Sequence, residues 1–235
     1  MESNMTGSFI FYDLKEDLYI RYNPKRCSKR FIPASTFKIL NSLIALETSV
    51  VPDQNYVLRW DGTHYPVPDW NRDHTLKSAI KYSVVWYYQE LARRIGYEKM
   101  YYYVHKCNYG NKDISGGIDR FWLDGALRIS QSEQIEFLKK LYRNDLPFSK
   151  RNIDIVKDIL LNEDNDSYHL RAKTGSGFQD GKAIGWYVGY LEQNDNVYFF
   201  ATNIESDESD QNFRTARIDI TRQILQRFGL LKSSS

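Results

Sequence analysis

Hydrophobic and polar positions divide the chain into three stretches of different rhythm. Residues 8–14 (SFIFYDL) and 18–22 (LYIRY) are dense in aromatic and β-branched side chains, and the polar triplet Lys15-Glu16-Asp17 between them marks a turn, so a β-hairpin is expected. Pro33 then leads into Ser35-Thr36-Phe37-Lys38 and the apolar run Ile39, Leu40, Leu43, Ile44, Ala45 and Leu46, which breaks at Val50-Val51-Pro52. This spacing predicts a buried helix beginning near Ser35. From about Pro52 to about Asp166 strand-like alternation disappears, and helical stretches take over at 76–95, 98–106, 130–143 and 153–161. Ser130, with Glu133 three residues on, offers a capping box for the third of these. Strand signals return at 168–173, 183–192 and 197–203, with Gln193-Asn194-Asp195-Asn196 as a polar hairpin turn. An amphipathic helix over 214–228 then closes at Gly229.

Strands split by a helical block imply one sheet with an insertion. The expected fold class is mixed α/β: a central antiparallel sheet flanked by the N- and C-terminal helices, with an all-helical lobe inserted into it. Residues 1–51 and 167–235 would form the sheet lobe, residues 52–166 the helical lobe, and the two together one catalytic domain. The acidic clusters Glu163-Asp164 and 205–210 read as solvated loops, and 233–235 as a frayed tail.

Composition narrows the function classes. A chain of 235 residues can bury a sizeable core without disulfide or metal staples. Lys and Arg number 32 against 30 Asp and Glu, a net charge of +2, which argues against nucleic acid or a membrane surface as partner. Cys27 and Cys107 are too few for a disulfide framework or a cysteine-rich zinc site. His64, His74, His105 and His169 show no ligand spacing and read as surface or packing residues, so no metal is expected. No apolar run approaches the length of about 18 residues that spans a membrane, and no signal-peptide core follows Met1. The 18 Tyr, 12 Phe and 5 Trp are an aromatic excess to which composition alone gives no place.

Three short motifs carry candidate chemistry. Ser35 and Lys38, three residues apart on a helix, share one face, and an apolar surrounding would favour the neutral amine that can take a proton from the serine. Lys173-Thr174-Gly175 ends a strand signal. Gly175 and Gly177 would let an extended substrate approach that strand edge, with Lys173 holding an anion. Ser83, in Ser83-Val84-Val85, could relay a proton between the two lysines. Each motif alone recurs by chance; the three in this order are a far more specific set.

With Tyr109-Gly110-Asn111, Phe121-Trp122-Leu123 and the segment from Leu127 to Ser130, these motifs span nearly the whole chain. The sequence resembles the penicillin-recognising serine acyltransferases, and within them the class D (oxacillinase-type) β-lactamases. The resemblance implies that Ser35 attacks the lactam carbonyl, with the backbone amides of Ser35 and Ser176 as oxyanion hole. It implies that Lys38, carboxylated by CO2 or bicarbonate, is the general base in a pocket formed by Val85, Tyr88, Trp122 and Leu123, with the Trp122 indole N–H as donor. Ser83 and Lys173 would protonate the departing nitrogen. Thr174, Gly175, Tyr109 and Arg217 would bind substrate, Arg217 holding its carboxylate, with Arg214 one turn earlier as the fallback. No metal or organic cofactor is implied, and the partners are small β-lactams. The location implied is extracytoplasmic (secreted, periplasmic or membrane-tethered), with a leader removed. The alternative is a β-lactam sensor domain, acylated in the same way but not deacylated; the apolar Val85 and Leu123 favour the hydrolase. A cell-wall transpeptidase and a Ser–Lys peptidase are further readings.

Overall fold

The computed structural model describes residues 5–207 and 212–232. The expected tail at 233–235 and residues 208–210 of the acidic cluster at 205–210 lie outside the described residues. Strand β1 (Met5–Asp13) turns through Lys15-Glu16-Asp17 into β2 (Leu18–Tyr22), the hairpin that the pattern predicts. A short helix α1 (Pro24–Cys27), for which the sequence offers only an Asn23 cap and Pro24 at its first turn, precedes a 3₁₀ turn (Ala34–Phe37). Helix α2 (Lys38–Glu47) follows, and every residue from Lys38 to Leu46 is buried, including the polar stripe Lys38, Asn41 and Ser42, each hydrogen-bonded inside the fold. Two-residue strands β3 (Val57–Leu58) and β4 (His74–Thr75) pair inside the stretch expected to lack strands.

Helices α3 (Leu76–Lys81), α4 (Val85–Ile95), α5 (Tyr97–Lys106), α6 (Gln131–Arg143) and α7 (Lys150–Ile159) make up the helical stretch. Ser130 and Glu133 form the capping box of α6. The single helix expected over 76–95 is instead two, broken at Tyr82-Ser83-Val84. The amide of Val84 bonds the carbonyl of Ala79 and that of Ser83 bonds Ile80, a Schellman closure that puts Ser83 in the left-handed position with φ 54°. Glycine normally takes that place, so the sequence carries no stop signal there.

Strands β5 (Leu161–Asn165), β6 (Tyr168–Gln179), β7 (Lys182–Gln193) and β8 (Asn196–Ser206) complete an antiparallel sheet of order β2-β1-β8-β7-β6-β5. Strand β5 overturns the expectation of helix and loop at 161–166. Its sequence, LNEDN, is polar because it is an edge strand held by backbone pairing. Glu163 and Glu205 are likewise not loop residues: they lie in β5 and β8 and pair with Arg222 and Arg26. Strand β6 runs on well past Lys173, so the Lys173-Thr174-Gly175 motif lies inside a strand, not at its exit.

The central strand β7 is buried on both faces. Ile184, Trp186, Val188 and Tyr190 face the large core shared with α2, α4 and α6, while Tyr187 and Leu191 face the smaller core under α8 (Phe213–Arg227). Much of the aromatic excess closes these cores. Gly189, opposite Ala172, leaves no room for a side chain: a Cβ there would stand 2.2 Å from the Arg171 carbonyl oxygen and 2.8 Å from the Ala172 Cα. Gly189→Ala should pry β6 from β7 and cost about 3 kcal/mol in denaturant unfolding. A loss under about 0.5 kcal/mol would show that the two strands do not need this close contact.

Candidate active site

The 3₁₀ turn, not an α-helix, carries Ser35. Its three residues per turn bring Ser35 and Lys38 onto one line, so the expected shared face survives in a tighter form. Ser35 is 9% exposed, at the opening of an otherwise buried segment, and Ala34 before it holds a left-handed φ of 47°. The turn is pressed against β6. A Cβ on Gly175 would meet the carbonyl of Pro33 at 3.0 Å and Thr36 at 3.1 Å, so only glycine allows this approach. Side chains also clamp the segment from outside. The Ile32 amide donates to Gln179 Oε1 at 2.8 Å, and the Ile32 carbonyl accepts from Trp186 Nε1 at 2.8 Å. Neither clamp has a sequence signal.

Three basic side chains, Lys38, Lys173 and Arg217, come together around Ser83 and Lys173. Lys38 is fully buried at the start of α2, and its Nζ donates to the Ser83 carbonyl at 2.6 Å and to Ser83 Oγ at 3.0 Å. From β6, Lys173 Nζ reaches the same Ser83 Oγ at 3.1 Å and the Thr174 carbonyl at 3.0 Å. Arg217, buried on α8, keeps an unpartnered Nε and lies close enough to act on Lys173. Burial, and then the charge of Lys173, hold Lys38 well below the ordinary lysine range. Burial, and then Arg217, bring Lys173 down to about 7. Burial, and then Arg214, lower Arg217. No carboxylate acts on any of the three, so the cleft stabilises neutral amines and leaves Arg217 ready for an anion.

The open edge of β6 supplies amides. The Ala172 amide bonds the Leu160 carbonyl at 3.1 Å, away from β7, and the β6–β7 register runs unbroken to Gln179. Alternation therefore turns the Thr174 and Ser176 amides to the same free edge, beside the Ser35 turn. Around Lys38, the Tyr88 ring lies 5.3 Å from Nζ, and its hydroxyl bonds Ser42 Oγ at 2.9 Å. Val85 opens α4, and Leu123 lies across from Gly177; both are half-buried. Trp122 stacks on Phe37 at 5.3 Å, fully buried, and its Nε1 has no partner.

Of the expected residues, Ser83, Lys38, Lys173, Thr174 and Arg217 come together, with Gly175 and Ser176 beside them. Tyr109 does not. It is 1% exposed, wedged between Phe37 and Phe137 with its hydroxyl beside Thr36 and Gln134, so it packs the site from behind and cannot touch a ligand in the cleft. Arg214 is exposed, and Arg217 is the arginine next to Lys173. Cys27 and Cys107 are free and buried. Among the described residues no cluster of three His, Cys, Asp or Glu side chains could hold a metal ion, and no helix is long and apolar enough to cross a membrane.

The penicillin-binding protein transpeptidase domain family matches residues 5–226. The OXA-48 β-lactamase of Klebsiella pneumoniae is 47% identical, over 96% of this chain and 84% of its own length. The regulatory protein BlaR1 of Bacillus licheniformis is 38% identical over 98% of this chain, which spans 38% of that protein. Among solved structures, the class D β-lactamase YbXI from Nostoc superposes with a TM-score of 0.93 at 48% identity, covering 97% of this chain and 95% of that one. The chain therefore belongs to the penicillin-binding transpeptidase family and, within it, to the class D β-lactamases.

The depressed Lys173 has a signed consequence. In the unfolded chain a lysine titrates near about 10.4, against about 7 in the fold. Between those values the unfolded chain binds more protons, so raising the pH favours the folded form. Stability relative to Lys173→Met should be flat below pH about 7 and rise from there to about 10. A difference flat over the whole range, followed by thermal unfolding, would mean that Lys173 titrates as an ordinary surface lysine.

Proposed function

We propose that the chain hydrolyses β-lactams through an acyl-enzyme on Ser35. The observation that carries this reading is the Ser83 hydroxyl held between Lys38 and Lys173, at 3.0 and 3.1 Å, with both lysines driven towards neutrality by burial. Ser35 attacks the lactam carbonyl, and the charge that develops on its oxygen meets the amides of Ser35 and Ser176. Lys38, one 3₁₀ turn on, is the group placed to take the serine proton. Ser83 passes a proton to the departing ring nitrogen and is resupplied by Lys173, whose pKa near neutrality suits both giving and taking. The substrate carboxylate binds Thr174 Oγ1 and Arg217, whose Nε has no partner and which α8 keeps buried beside Lys173.

Carboxylated by CO2, Lys38 would supply a stronger general base for acylation and deacylation. The residues present fit that group: Nζ is depressed by burial, Val85 and Leu123 are apolar, and the orphaned Trp122 N–H is a buried donor lacking an acceptor. Nearby, the Tyr88 ring lies 5.3 Å from Lys38 Nζ, and Trp122 stacks on Phe37, the residue before the lysine. The same reading puts the chain outside the cytoplasm, where β-lactams act. It takes the sheet lobe, 1–51 with 167–235, and the helical lobe, 52–166, as one catalytic unit, with β5 extending the sheet lobe to Leu161.

A chromogenic β-lactam should be turned over many times per molecule, faster with added bicarbonate. One stoichiometric burst without turnover would contradict the hydrolase and favour the sensor reading, to which the BlaR1 similarity is the pointer. Arg217→Ala should raise KM by about ten- to a hundredfold, the worth of a charged hydrogen bond, with kcat changed far less. An unchanged KM would remove Arg217 from substrate binding.

A further inference from the structure

The cleft does not stop at Lys173. Strand β6 meets the Ser35 segment at Gly175 and Gly177, but on the other side of the motif a cavity of about 320 Å³ opens along Ala172, Lys173 and Thr174. Leu160 and Asn162, also in its lining, both take the Ala172 amide, through a carbonyl and Oδ1. One wall is the outer face of α3, where Lys77 and Lys81 stand one turn apart. Both are exposed, and neither has an ion-pair partner among the described residues; Lys81 leans only on the Tyr82 ring, at 5.5 Å. The single acid in the lining is the exposed Asp158. Two like charges at this spacing repel each other on a helix, and a bound anion would relieve that.

We propose that this cavity is a second anion subsite of the cleft, taking β-lactams that carry an acidic substituent next to the ring carboxylate, with Lys77 and Lys81 as specificity-determining residues. The inference rests on the β-lactam reading of the cleft. A substrate joined to Ser35, with its carboxylate at Thr174 and Arg217, extends its neighbouring ring substituent away from Ser35, and the cavity begins at Thr174. Lys77 and Lys81 line that cavity, so a second carboxylate there would enter a positively charged wall. Because they are exposed, each contributes about two- to fivefold, and salt screens the effect.

The test uses two cephalosporins differing only in that substituent, a carboxylic acid and its carboxamide, with benzylpenicillin as reference. The reading is the second-order rate constant of acylation. Hydrolases and non-hydrolysing sensors both show that step, so a failure of turnover defeats the hydrolase reading without touching this measurement. The protein should prefer the acid at low salt and lose the preference at high salt. In Lys77→Gln/Lys81→Gln the acid-to-amide ratio should fall about fivefold, with benzylpenicillin unchanged within about twofold. Lys77→Glu/Lys81→Glu should invert the preference. Benzylpenicillin acylation with an acid-to-amide ratio that the substitutions leave unchanged would overturn the subsite alone; no acylation by any of the three would overturn the β-lactam reading with it.

Discussion

The structure turns on one costly placement, a lysine buried without a carboxylate. Lys38 is enclosed in the all-buried helix α2, and its amine is satisfied by Ser83 alone. An ammonium there would be expensive to desolvate, so the fold favours the neutral form. The second lysine, Lys173, compounds this by adding like charge from β6. Ser83 is itself held at a cost. It takes the left-handed closing position of α3, where a non-glycine residue is strained by about 1 kcal/mol or more. Burial and strain here work against stability, and the geometry they hold is the one the chemistry uses.

The rest of the fold keeps this arrangement in place. The sheet brings Lys173, Thr174 and the free amides of β6 to one edge, and the missing side chain of Gly175 lets the Ser35 turn lie on that edge. Gln179 and Trp186 fix Ile32 at both its amide and its carbonyl. Thr221 Oγ1 donates to the Arg217 carbonyl at 2.7 Å and meets Thr202 Oγ1 at 2.5 Å, tying the arginine's turn of α8 to β8. On the helical side, Phe37, next to Lys38 in the chain, is stacked on Trp122 and edged by Phe121 and Tyr109, while the Tyr88 ring faces the Lys38 amine.

Where the physics is local, the sequence could be read. The hairpin followed from alternation around a polar turn, and the α6 start from a capping box that both partners form. The candidate set was legible for a different reason: Ser35 with Lys38, Ser83 and Lys173 are few, polar and spaced along elements whose type was recognisable. What escaped depends on tertiary context. Strand β5 is polar and stands at the sheet edge, so no alternation marks it. The break at Ser83 uses serine where a stop normally shows glycine. Tyr109 was expected to face substrate, but the direction of its ring is set by Phe37 and Phe137, far apart in sequence. The Gln179 clamp joins residues 147 positions apart and could not be foreseen from either.

The central claim is that burial makes Lys38 a neutral amine at working pH and lets Lys173 both hold and release a proton there. Lysine side-chain nitrogen NMR over a pH series measures this directly, with Lys38→Met and Lys173→Met supplying the assignments. Two resonances should titrate far below the rest, that of Lys173 near about 7 and that of Lys38 also well under the ordinary range. If all lysines titrate together near about 10.4, both amines are charged, and the proton relay through Ser83 cannot operate as described.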